Sequence, residues 1–146
     1  VAAAAAIVLA LAAGCGHSVP FRPLRAGQCL PASAQVVGRR EQQPPLVPCT
    51  SPHRYEVYAT PTLSTGDDWP GQDAVDAAAK QLCYDRFEPD TGHDPLTLPD
   101  GVKELTIGPS QSGYTRSRDR RVECLVVLPK DRSGAFISPG GRVESA

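Results

Sequence analysis

The chain divides by the period of its apolar positions. Residues Val1 to Ala13 form an uncharged apolar run that stops at Gly14-Cys15. Such a run is shorter than the ~20 residues a helix needs to cross a hydrocarbon core, and it fits the ~7–15-residue apolar segment of a secretory signal. Beyond it the pattern changes to short extended stretches. Arg25 to Leu30, Ala32 to Val37 and Leu46 to Cys49 predict three short strands. Tyr55 to Thr60 alternates more clearly, with Tyr55, Val57 and Ala59 on one face and Glu56, Tyr58 and Thr60 on the other, which predicts a half-buried strand. Val75, Ala78, Ala79, Leu82, Cys83 and Phe87 fall on one stripe of a helix from Trp69 to Phe87, initiated by Asp67, Asp68 and Pro70 and ended by Pro89. Glu104 to Ile107 reads as a short strand and Ser110 to Arg118 as a brief helical turn or loop. Arg121 to Leu128 is apolar on nearly every residue after Glu123 and predicts a central strand. A weak edge hairpin over Gly134 to Ser138 and Gly141 to Glu144 completes the pattern. Strands, one helix and strands again imply an α+β fold, a small, mainly antiparallel sheet with the principal helix packed across it.

Ala12-Ala13-Gly14-Cys15 resembles the lipobox of bacterial lipoproteins. The resemblance implies cleavage of residues 1–14, a mature chain starting at a diacylglyceryl-modified Cys15, and a tether over 15–24 containing Pro20 and Pro23. Two or three acyl chains exceed the single chain that binds a membrane only marginally, so a stable anchor on the extracytoplasmic face is expected.

Composition narrows the partners. Lys and Arg number 15 against 16 Asp and Glu, for a net charge of −1, so no general field draws nucleic acid to the chain. Of 5 cysteines, setting Cys15 aside leaves Cys29, Cys49, Cys83 and Cys124. An even number in an exported chain reads as two disulfides. Four cysteines allow three pairings; local context favours Cys29 with Cys49 and Cys83 with Cys124, since Cys83 lies on the apolar helix face and Cys124 among Val122, Val126 and Leu128. Bridges of these spans contribute about 3–4 kcal/mol each by loop-closure entropy. No C-x-x-C spacing supports a zinc site.

Candidate chemistry centres on His53 and Glu56 in Pro52-His53-Arg54-Tyr55-Glu56-Val57. A His-x-x-Glu pair can ligate a metal or do acid/base work. Residues three apart in an extended strand face opposite sides, however, so a shared site requires a bend. The plainer expectation is structural: His53 bonds backbone beside the first disulfide and Glu56 faces a basic neighbour or water. His17 in the tether and His93 in a turn do not converge on the pair. Glu88, Asp90, Asp94 and Asp100 do not match the calcium-loop spacing and read as turn residues. Arg116, Arg118, Arg120 and Arg121 near Tyr114 form a basic cluster that anionic lipid or wall polymer could meet, although Asp119 interrupts it and a solvated face is the plainer reading. No G-x-S-x-G, S-x-x-K, H-E-x-x-H or phosphate-cradling glycine loop is present, and no cofactor is expected.

Gly27-Gln28-Cys29, Cys49-x-x-Pro52-His53-x-x-Glu56-Val57, Trp69-Pro70-Gly71 before an alanine-rich helix with Cys83, and Arg121-Val122-x-Cys124-Leu125 together resemble the septum formation family of small actinobacterial envelope proteins. The likeness spans residues 25 to 130 and leaves 131–146 as a tail. It implies cell division and envelope biology without an assigned reaction, agrees with the favoured disulfide pairing, and carries no catalytic residue. The expectation is a non-catalytic binding or scaffolding module whose partner is an envelope protein or cell-wall component, with His53, Glu56 and Trp69 as candidate contact residues. A small envelope hydrolase using His53 and Glu56 is the alternative.

Overall fold

The computed structural model describes residues 23–36 and 44–137; Cys15, the signal, the expected tether as far as residue 22, and the second half of the expected tail hairpin lie outside them, whereas Leu24 at the tether's end is buried in the core. Seven elements follow in order: β1 (Cys29–Leu30), β2 (His53–Ala59), α1 (Gln72–Thr91), a 3-10 turn (Pro95–Thr97), β3 (Lys103–Ile107), α2 (Gln111–Arg116) and β4 (Glu123–Arg132). The strands make one antiparallel sheet in the order β1-β2-β4-β3. The α+β architecture expected from the pattern is therefore present, with both disulfides as favoured: Cys29–Cys49 and Cys83–Cys124. No described helix is long and apolar enough to cross a membrane.

The apolar run of β4 has a simple cause: both faces of the sheet are covered. On one side Val75, Ala79, Cys83 and Phe87 of α1 pack on Tyr58, Cys124 and Val126. On the other, Leu24, Leu30, Ala34 and Val36 of the first described segment cover Val57 and Leu125. The expectation of a half-buried β2 is corrected accordingly, because that first segment supplies a second covering layer. Alternation survives in the register, since Val57 and Tyr58 face opposite cores. Ala59 departs from it, joining Tyr58's core past a register shift between Val57 and Ala59.

The covering segment owes its shape to turns rather than strands. Only Cys29–Leu30 of the expected first strand is regular strand; Gly27 and Gln28 still bond Val57, but Gly27 sits at φ 84 in a turn closed by the Gln28 amide on the Arg25 carbonyl. The expected strand from Ala32 is replaced by a turn in which the Ala34 amide bonds the Pro31 carbonyl, and Leu46–Cys49 is reduced to one bridge between Val47 and Cys29.

Helix α1 starts later and ends later than its pattern predicts. Its fully buried positions, Val75, Ala79, Cys83, Phe87 and Thr91, recur every four residues and form one ridge on the sheet. Pro89 does not end it. The ring removes one amide donor near the terminus, where little helix remains to be disrupted, and the stop comes at Gly92 in the left-handed conformation, with its amide on the Glu88 carbonyl at 2.9 Å. Pro129 likewise fails to end β4. From His53 to Tyr55 on β2 the paired residue on β4 moves from Arg132 to Val127, so β4 bulges around the residue that cannot donate to the ladder.

Candidate functional site

Two groups of polar side chains stand out, and the fold treats them oppositely. The first is the His53–Glu56 pair. His53 Nε2 lies 2.7 Å from Glu56 Oε1, and both side chains are buried. The two residues share a site although they stand three apart on β2, in a stretch where the β2–β4 register shifts between His53 and Tyr55. His53 Nδ1 donates to the Ser51 carbonyl at 2.8 Å, next to the Cys29–Cys49 disulfide as expected. A carbonyl only accepts, so this contact places a proton on Nδ1.

Glu56 meets the basic neighbour expected of it in His53 and does more. Besides the imidazole it holds the backbone amides of Phe136 at 2.6 Å and Ile137 at 2.9 Å, accepting from both. The carboxylate thus closes the segment after β4 over the sheet, helped by the Gly134 amide on the Cys49 carbonyl and by His93 stacked on the Phe136 ring at 4.5 Å. Folded structure therefore continues past residue 130 to the buried Ile137. No sequence signal marked this role, because Glu56 is separated from its two donors by 80 and 81 positions.

Cys29, His53 and Glu56 also bring potential ligand atoms within 4.8 Å of one another, a cluster that sequence reading did not foresee. The Cys29 sulfur is committed to its disulfide and cannot offer a thiolate, which leaves two donors that already hold hydrogen bonds. The cavity beside the disulfide and Glu56 measures ≈ 180 Å³, below the ~300–1,000 Å³ usual for ligand pockets.

Another buried polar arrangement, outside both groups, centres on Tyr58. The Tyr58 hydroxyl is 2.5 Å from Glu104 Oε1 and 3.1 Å from the Cys83 carbonyl. Burial, reinforced by the bond to Glu104 and its charge, pushes the Tyr58 phenol far above its ordinary value. It is a neutral donor joining α1, β2 and β3.

The second group is the arginine cluster that starts at the last residue of α2 and runs on after it. Arg120 is consumed by the fold. Its guanidinium lies 3.2 Å from the centre of the Tyr114 ring and donates to the Tyr114, Asp119 and Gly66 carbonyls. Tyr114 in turn reaches Thr65 and Gly66 through its hydroxyl and meets Trp69 edge to face at 5.1 Å. Trp69 thus belongs to a stacked support rather than to the His53–Glu56 pair. The interrupting acid, Asp119, accepts the Arg121 amide and closes its own turn.

Arg116, Arg118 and Arg121 differ. All three are exposed on the wall of an open groove of ≈ 1370 Å³. Their side chains hold no hydrogen bond or ion pair with the described residues. On α1, by contrast, Arg86 pairs with Asp90 one turn on, at 2.7 and 2.8 Å. The acidic loop is also self-contained, with Asp94 accepting the Leu96 amide in the turn expected of it.

Comparison with protein-family models, with curated proteins and with solved structures finds no match.

Proposed function

We propose that the chain is a lipid-anchored, extracytoplasmic binding or scaffolding module of the cell envelope that acts without catalysis, in septum formation. The observation that carries this reading is the way the fold is held together. Two disulfides staple a small domain, a device suited to an oxidising compartment, and the His53–Glu56 pair, the candidate for acid/base work, spends its polar atoms on closing the structure. A general base needs reach to a substrate proton, and neither His53 nor Glu56 presents an open polar atom. That argument favours the binding module over the hydrolase.

Anchorage follows from the lipobox-like Ala12-Ala13-Gly14-Cys15, and the septal role from the family resemblance. Fluorescence localisation of the lipidated protein in dividing cells, combined with crosslinking, tests the reading. Enrichment at division sites with a specific envelope partner is the expected result. Uniform distribution with no crosslinked partner overturns it.

A further inference from the structure

We propose that the groove walled by Arg116, Arg118 and Arg121 binds an extended, phosphodiester-bearing polymer of the envelope, an assignment of ligand class that rests on the binding-module reading above. Three independent observations converge on it. The first is unused capacity. These three arginines line the groove without partners among the described residues, while Arg120 between them is locked onto Tyr114 and holds the turn in place. Supporting contacts are thus separate from presenting ones, as a rigid recognition surface requires.

The second is backbone conformation. Arg118 has φ 51, the one non-glycine residue with positive φ among the described residues. A β-carbon is disfavoured there, and every other positive-φ position is glycine. An arginine kept in that conformation on the groove wall points to a use for its side chain.

The third is charge and shape. Four arginines against Asp119 and Glu123 make the groove positive in a chain whose net charge is −1. Its volume of ≈ 1370 Å³ exceeds that of a pocket for one small molecule, and the cations line an open wall instead of converging on a buried point. Guanidinium forks match phosphate oxygens, but each exposed pair is individually weak, so a repeating anion that engages several at once is the ligand this arrangement favours. Pro23 also lines the groove, eight residues after Cys15. Even a fully extended chain spans only about 29 Å over that distance, which would hold the groove close outside the bilayer.

The test uses the mature lipidated protein in nanodiscs of zwitterionic lipid, titrated with a soluble glycerol-phosphate oligomer. Trp69, the single tryptophan, rests on Tyr114 beneath Arg120 and reports the titration by its fluorescence. The proposal expects saturable, salt-sensitive binding, weakened about tenfold or more in the R116Q/R118Q/R121Q variant, with thermal unfolding essentially unchanged. Absence of binding, or equal binding by the variant, overturns it. So does binding only when the nanodisc contains anionic lipid, which would assign the arginines to the membrane surface. Should the variant retain a specific crosslinked partner and septal localisation while the oligomer fails to bind, the groove assignment falls and the binding-module reading stands.

Discussion

The His53–Glu56 pair and the arginine groove are both clusters of ionisable side chains, yet they lie at opposite extremes of use. In the first, the imidazole and the carboxylate are buried, and hydrogen bonds tie them to each other, to the Ser51 carbonyl and to the amides of Phe136 and Ile137. In the second, Arg116, Arg118 and Arg121 are exposed and their side chains hold no partner among the described residues. The contrast separates structure from function on physical grounds. A buried charge is tolerated only when its partners compensate for lost water, so burial here signals that the partners are internal. An exposed charge costs little to keep and stays available to a ligand. The motif that looked more chemical in sequence is the one the fold consumes.

The largest expected effect breaks the closed side. Glu56→Ala removes the acceptor for two backbone amides and leaves His53 without its carboxylate, so urea unfolding should show a loss of about 3–5 kcal/mol. A loss below about 1 kcal/mol would deny the pair its structural role and reopen the hydrolase alternative. Next comes Tyr58, another buried polar group. Its phenol is held neutral in the fold, and its ordinary value near 10 applies to the unfolded chain. Stability is therefore unaffected below pH ~10 and falls as pH rises above it, because the unfolded chain releases a proton that the folded one keeps, by up to about 1.4 kcal/mol per pH unit. Tyr58→Phe should abolish that share of the alkaline slope in pH-dependent chemical denaturation.

On the open side the signs change. Arg118→Gly relieves a positive φ and should raise stability by about 0.5–1 kcal/mol in thermal or urea unfolding while weakening oligomer binding. A stabilised variant with undiminished binding would remove Arg118 from the ligand surface. The smallest effect belongs to Arg116→Gln, expected to shift stability by less than about 0.5 kcal/mol because the side chain has no described partner. A larger loss would show that the groove, like the His53–Glu56 pair, serves the fold.

Local pattern by itself determined the fold class, the principal helix, the central position of β4 and the disulfide pairing favoured over two alternatives. These depend on periodicity and on residue types whose preferences act within a few positions, as in the four-residue spacing of Val75, Ala79, Cys83 and Phe87. The same locality explains the errors. Pro89 and Pro129 signal a stop to neighbours in sequence, but Gly92 and the β2–β4 bulge decided where the elements ended. Gly27 and Pro31 turned expected strands into a covering loop that buries the second face of the sheet.

Only the tertiary structure decided what the polar side chains are for. His-x-x-Glu reads as separated in a regular strand. In the fold its members meet at 2.7 Å, and Phe136 and Ile137 arrive from the far end of the domain to claim the carboxylate. Four arginines close in sequence look equivalent until Tyr114 takes one and leaves three. The physical reason is common to both cases: whether a charged group is spent or free depends on the partners that folding brings to it, and those partners are distant in sequence.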